Sequence, residues 1–139
     1  VADDLFTPTI SAPPSAARPW RVTSLVYPSF FGGALAATAL GVVNGRRLGL
    51  HAGALLGLAA VGVAALAGRL LVEEVSRSMF WRPAFGLAVW GVVALRQRRR
   101  FRSFELRGGA GPASLVGPGI AAAIGGAVVE TALVVLVRS

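Results

Sequence analysis

Cysteine is absent, so no disulfide, thiolate metal site or thiol nucleophile can form. Lysine is absent too: all fourteen basic residues are arginine, which rules out a Gly-Lys-Ser/Thr phosphate loop. His51 is the single histidine, too few for a His-rich zinc site or for a Ser/His/Asp set placed near an acid. Only six acids occur, and Glu73 and Glu74, the one pair outside the N-terminal tail, are adjacent rather than at a catalytic spacing. The chain therefore reads as a protein without catalytic activity, metal or cofactor.

What the chain has in quantity is apolar sequence. Hydrophobic residues make up 55% of it, with 18 glycines besides, and the mean hydropathy is +0.68. Four apolar stretches cover residues 22–43, 50–68, 79–95 and 113–137. A membrane-crossing helix needs about 20 apolar residues. The expectation is an all-α polytopic membrane protein with four transmembrane helices in one domain, residues 22–138. The third stretch is short or re-entrant, because reaching a full span means including Arg82, which must snorkel to the headgroups. Residues 1–21 read as a disordered, proline-rich tail. It lacks the pattern of a signal peptide. Within it Asp3-Asp4-Leu5-Phe6 is a candidate docking motif, with a solvated tail as the plainer reading. Trp20 and Tyr27 suit a membrane interface.

Asn44-Gly45-Arg46-Arg47-Leu48-Gly49 reads as a tight basic turn, with Gly45 and Gly49 as candidate helix caps and Asn44 as a turn residue. Gly53 and Gly57 have a close-packing spacing. The run from Arg96 to Arg107 reads as a cytoplasmic loop. Its Arg96, Arg98, Arg99, Arg100 and Arg102 are candidate contacts for anionic lipid headgroups, with Phe101 and Phe104 inserting beside them. This location assigns the formal charge of +8 to lipid and topology rather than to nucleic acid. Four crossings would place both termini outside a bacterial inner membrane and loops 44–49 and 96–112 in the cytoplasm. The cytoplasmic side would then hold eight arginines against six (Arg18, Arg21, Arg69, Arg77, Arg82, Arg138).

Glu130 stands out, as the one acid in the fourth stretch. It lies eight residues before Arg138, about 12 Å below the interface at the rise of an α-helix. An ionisable group at that depth faces protein or water. It is either a protonatable or cation-binding site, or one half of an ion pair. Arg69, at the same end of the second stretch, is the candidate partner. His51 reads as an interfacial polar residue. These features describe a small integral membrane subunit or scaffold that packs against a partner membrane protein or against copies of itself. The alternative is a small homo-oligomeric transporter or channel using Glu130.

Residues 24–28 recur in part as 114–118, and 57–69 resemble 86–98, matches that follow largely from the restricted composition of apolar helices. Phe30-Phe31-Gly32-Gly33-Ala34-Leu35-Ala36, followed by Leu40, Asn44, Arg46 and Leu48-Gly49, resembles a segment of uncharacterised small bacterial integral membrane proteins. Their pattern is a Phe-Gly-Gly-x-Leu-Ala run and an Asn-x-Arg-x-Leu-Gly turn, often with proline where Ala34 stands here. The resemblance implies a membrane hairpin and no activity.

Overall fold

The computed structural model describes residues 17–107 and 111–139. The Asp3–Phe6 motif and most of the proline-rich tail lie outside them. A short 3-10 turn, Val22–Leu25, leads into α1 (Val26–Arg47), which is followed by α2 (Ala52–Val75), α3 (Trp81–Leu106) and α4 (Val116–Arg138). Three helical segments, Val22–Arg47, Ala52–Val75 and Val116–Arg138, are long and apolar enough to cross a membrane.

The first of them does not run straight. Twenty-two helical residues would separate the ends of α1 by roughly 33 Å. Instead the Trp20 amide, just before the helix, donates to Asn44 Oδ1 near its far end at 2.7 Å, and Asn44 Nδ2 donates back to the Trp20 carbonyl at 3.2 Å. The Arg47 guanidinium sits 4.0 Å over the Trp20 ring. The chain therefore doubles back, and the reversal lies at Gly33, with φ 72° and ψ −158° inside an otherwise helical run. That conformation is essentially reserved for glycine. α1 is thus a hairpin of two helical arms, residues 26–32 and 34–47. The second arm is about 21 Å long.

The other helices are built around this hairpin. α3 packs along both arms. Its Trp90 indole donates to the Val22 carbonyl at 3.1 Å, Gly86 lies against Ser29 and Gly33, and Val93 lies against Gly41. α4 follows the first arm, with Gly119 by Pro28 and Gly126 by the Gly32 carbonyl. α2 follows the second arm, with Leu55 by Gly45 and Gly62 by Thr38. Gly86 and Gly126 are required at these places, because a Cβ on either would meet backbone of the hairpin. Leu25, Ala34, Ala37, Leu40, Leu58, Val89 and Val93 form the buried apolar centre.

Several expectations change. The run from Arg96 to Leu106 is not a loop but the last three turns of α3. Arginine is a good helix former, and no helix breaker intervenes before Gly108. Gln97 and Phe101, four residues apart, tie this extension to the body of the protein, where both are buried. α2 runs past the apolar stretch that ends at residue 68, through Glu73 and Glu74, leaving residues 76–80 as the connection. Asn44 and Gly45 belong to α1 rather than to a turn, and only Gly49 takes a left-handed conformation, φ 71°. Trp20 is buried, whereas Tyr27 is exposed. Among the described residues, nothing lies within 4 Å of where a Gly57 side chain would begin.

The hairpin also changes the arrangement of the ends. Arg18 and Arg21 share one end of the molecule with Arg46, Arg47 and the arginines of α3: Arg18 donates to the Gly111 carbonyl and Arg47 to the Arg18 carbonyl. Ser139 lies at the opposite end, one residue beyond Arg138, which pairs with Glu73 at 2.9 Å. Among the described residues, Arg18 thus lies at the arginine-rich end and Ser139 at the other.

Candidate functional site

The break at Gly33 starts a new helix inside the protein. The first amides of a helix have no partner within it and carry a partial positive charge. Here the Glu130 carboxylate supplies the acceptor: the Leu35 amide donates to Oε1 at 3.0 Å. Arg69 from α2 donates to Oε2 of the same carboxylate. Glu130 is fully buried and Arg69 is 4% exposed. A Cβ at Gly33 would run into both carboxylate oxygens. The positive φ and the missing side chain at Gly33 are therefore parts of one arrangement, which brings a carboxylate from α4 onto a half-helix N-terminus.

Arg82 and Trp81 lie beside this centre, in the first turn of α3. Arg82 donates to the Thr131 hydroxyl at 2.6 Å, and that hydroxyl donates in turn to the Ala127 carbonyl. Trp81 stacks at a tilt on Phe85, ring centroids 6.3 Å apart, and Phe85 borders Gly68 next to Arg69. Four helices thus converge on one polar centre. It combines one carboxylate, two guanidinium groups and the amino end of the second arm. Chemically it can hold an anion or store charge. Among the described residues, Glu130 is the one carboxylate bonded within it.

A second polar cluster sits at the arginine-rich end and is uncharged. Asn44 and Gln97 are both fully buried. Asn44 Nδ2 donates to Gln97 Oε1 at 2.9 Å, and Gln97 Nε2 donates to the Gly41 carbonyl at 2.5 Å. Together with the two Trp20 bonds, this cluster clamps the open end of the hairpin. Gln97 escaped notice in the sequence because it stands inside an arginine run. The only signals were its lack of charge among arginines and Phe101 one turn later.

The candidate lipid contacts Arg96, Arg98, Arg99, Arg100 and Arg102 are all exposed on the α3 extension, and Arg100 donates to the Gly49 carbonyl at 2.9 Å. His51 is exposed beside them. These residues lie at the end opposite Glu130 and Arg69, so the two sets of candidate residues form separate regions. No protein family, no curated protein and no solved structure matches the chain.

Proposed function

We propose that this is a bacterial inner-membrane protein in which α2 and α4 cross the bilayer, α3 crosses beside them although it is not among the three segments apolar enough by composition alone, and α1 is a re-entrant hairpin entering from the cytoplasmic side. The 21 Å arm falls short of a hydrocarbon core of about 30 Å. Non-helical backbone at membrane depth is tolerated where it is buried in protein, as Gly33 is. This reading has three crossings where the sequence suggests four. It puts Arg18, Arg21, Arg46, Arg47 and the six arginines from Arg96 to Arg107 in the cytoplasm, against Arg69, Arg77, Arg82 and Arg138 outside. That bias is stronger than the eight-to-six division of a four-span topology.

Within the membrane the protein acts as a small non-catalytic subunit or scaffold that packs against other membrane helices. The observation that supports this is the distribution of its small residues. Gly57 on α2 and Gly117 and Gly125 on α4 face outward with nothing within 4 Å of where a side chain would begin, while the charged groups at depth are turned inward and paired. Small outward residues let a neighbouring helix approach closely. Gentle detergent extraction followed by native mass measurement tests this reading. Stoichiometric partner proteins or a defined homo-oligomer would support it, and a monomer under all extraction conditions would count against it.

The broken helix favours a second reading, a small homo-oligomeric transporter or channel, because discontinuous membrane helices accompany ion and solute sites. Glu130→Gln separates the two. A scaffold keeps its assembly and shows no flux in either form, whereas a transporter shows proton or cation flux in vesicles that the variant loses.

A further inference from the structure

A cavity of about 480 Å³ lies between the start of the hairpin, residues 24–31, and the start of α4, residues 115–123. Pockets that hold small ligands span about 300–1,000 Å³. Pro28 and Gly119 are buried at its floor, whereas Tyr27, Phe31, Val116 and Ile120 are exposed at its rim. The lining is almost wholly apolar; the hydroxyls of Ser24 and Tyr27 are the polar side-chain groups in it. Water occupies a cavity where several polar partners hold it, and this lining offers few. In a bilayer the space is filled by hydrocarbon instead, either a lipid chain or the side chains of another helix.

The shape of the rim favours the lipid chain. A neighbouring helix approaches closely over small residues, but two aromatic rings and two β-branched side chains border this groove. The outward glycines of α4, Gly117 and Gly125, lie roughly 120–160° round the helix from Gly119 and Ala123 at 3.6 residues per turn. The surface suited to a helix is therefore a different one. A thin, flexible chain can pass between bulky side chains to a floor that a helix cannot reach.

The groove also has a charged end and an apolar end. Arg21 precedes it by one turn: its carbonyl accepts from the Ser24 amide at 3.0 Å, and its side chain is exposed. On the other wall Arg18 donates to the Gly111 carbonyl at 3.3 Å, four residues before Leu115. From there both walls run towards the reversal at Gly33, where Gly32 lies against Ala123. Guanidinium at the mouth and apolar surface along the depth follow the order of phosphate and acyl chain in a phospholipid.

We propose that this groove binds an acyl chain of a phospholipid from the leaflet on the arginine side, with the phosphate of that lipid at Arg21. The site rests on the placement of these helices in a bilayer, and is the same for a scaffold and for a transporter.

Lipid retention by the full chain tests it. Membranes are extracted in a neutral detergent, the purified protein is washed free of bulk lipid, and phospholipid per chain is measured by phosphate assay and mass spectrometry. The parent should retain phospholipid in fixed ratio to the chain. Ala123→Phe and Ser24→Phe, which place a ring in the groove from opposite walls, should lower that ratio severalfold. Arg21→Gln should lower it too, and its exposed side chain can be changed without disturbing the packing. Leu56→Phe, on the exposed face of α2, should leave it unchanged. Helical circular dichroism checks the fold of each variant, and Arg21→Gln decides the matter if a ring variant fails to fold. A parent without bound phospholipid, or a ratio unchanged in both ring variants or in Arg21→Gln, would overturn the proposal. So would a parent whose native mass shows a second chain in place of lipid, lost in the ring variants, since the groove would then seat a helix. Recovery of the chain from the aqueous fraction would overturn the membrane placement as well, whereas a membrane-extracted chain without lipid overturns the site alone.

Discussion

Adding one methyl group at Gly33 should harm this protein far more than adding one at Gly57, although both glycines lie in apolar helical sequence. At Gly33 an alanine must adopt φ 72° and ψ −158°, at a cost of about 1–3 kcal/mol. Its Cβ would also occupy the space of the Glu130 carboxylate. Displacing that carboxylate gives up the charge-assisted bond from Leu35, worth about 1.5–3 kcal/mol. The two effects together destabilise Gly33→Ala by roughly 2.5–6 kcal/mol. At Gly57 nothing lies within 4 Å, and alanine in place of glycine inside a helix gains about 0.5–1 kcal/mol. Reversible unfolding in mixed micelles of increasing SDS content, followed by helical circular dichroism, measures the difference. Equal stability of the two variants would refute the hairpin reversal at Gly33 and its capping by Glu130.

Topology gives a second test. The chain has no native cysteine, so single cysteines at Ala17, Ser103 and Ser139 can be labelled from either side of intact cells or vesicles. Ala17 and Ser103 should label from the cytoplasm and Ser139 from the opposite side; Ala17 labelling together with Ser139 would mean that residues 22–47 cross the membrane. Replacing Arg98, Arg99 and Arg100 with glutamine should leave orientation unchanged, since seven arginines remain at that end against four at the other; inverted labelling of Ser139 would contradict that count. Gln97→Leu should destabilise by about 1–3 kcal/mol in the same micelle assay, because it leaves the Gly41 carbonyl and part of Asn44 without partners. Arg69→Leu should cost about 3–5 kcal/mol by stranding a buried carboxylate, and Arg69→Leu with Glu130→Leu should recover much of it. No recovery in the double variant would show that Glu130 is held by the Leu35 amide alone.

The helices were legible in the sequence because three of the apolar stretches are long and all four are bounded by proline, glycine or arginine. The shared depth of Arg69 and Glu130 was legible too, since each lies near the same end of its stretch. The hairpin was not. Gly32-Gly33 in an apolar run looks like any pair of packing glycines. The reversal is decided by distant residues that nothing local announces: Gly86 and Gly126, which leave room for it, and Glu130, which caps it. The place of Asn44 in the helix is hidden for the same reason, because asparagine beside glycine is a turn signal until a partner such as Gln97, 53 positions later, buries it. The helical form of the arginine run was hidden by its charge, which suggests a solvated loop even where the backbone prefers a helix.

The capping of the hairpin has a consequence for how the protein is made. Leu35 and the carboxylate that receives its amide are 95 residues apart. At a synthesis rate of about 5–20 residues per second, roughly 5–20 s pass between the emergence of one and of the other. During that interval residues 22–47 are an apolar segment without their acceptor, long enough to be inserted straight through the bilayer. The doubled-back form becomes favourable only after α3 has brought Gly86 alongside and α4 has delivered Glu130. Of the four helices, the earliest to be made is therefore the last to take its final shape, and a chain truncated before α4 should leave it lying across the membrane.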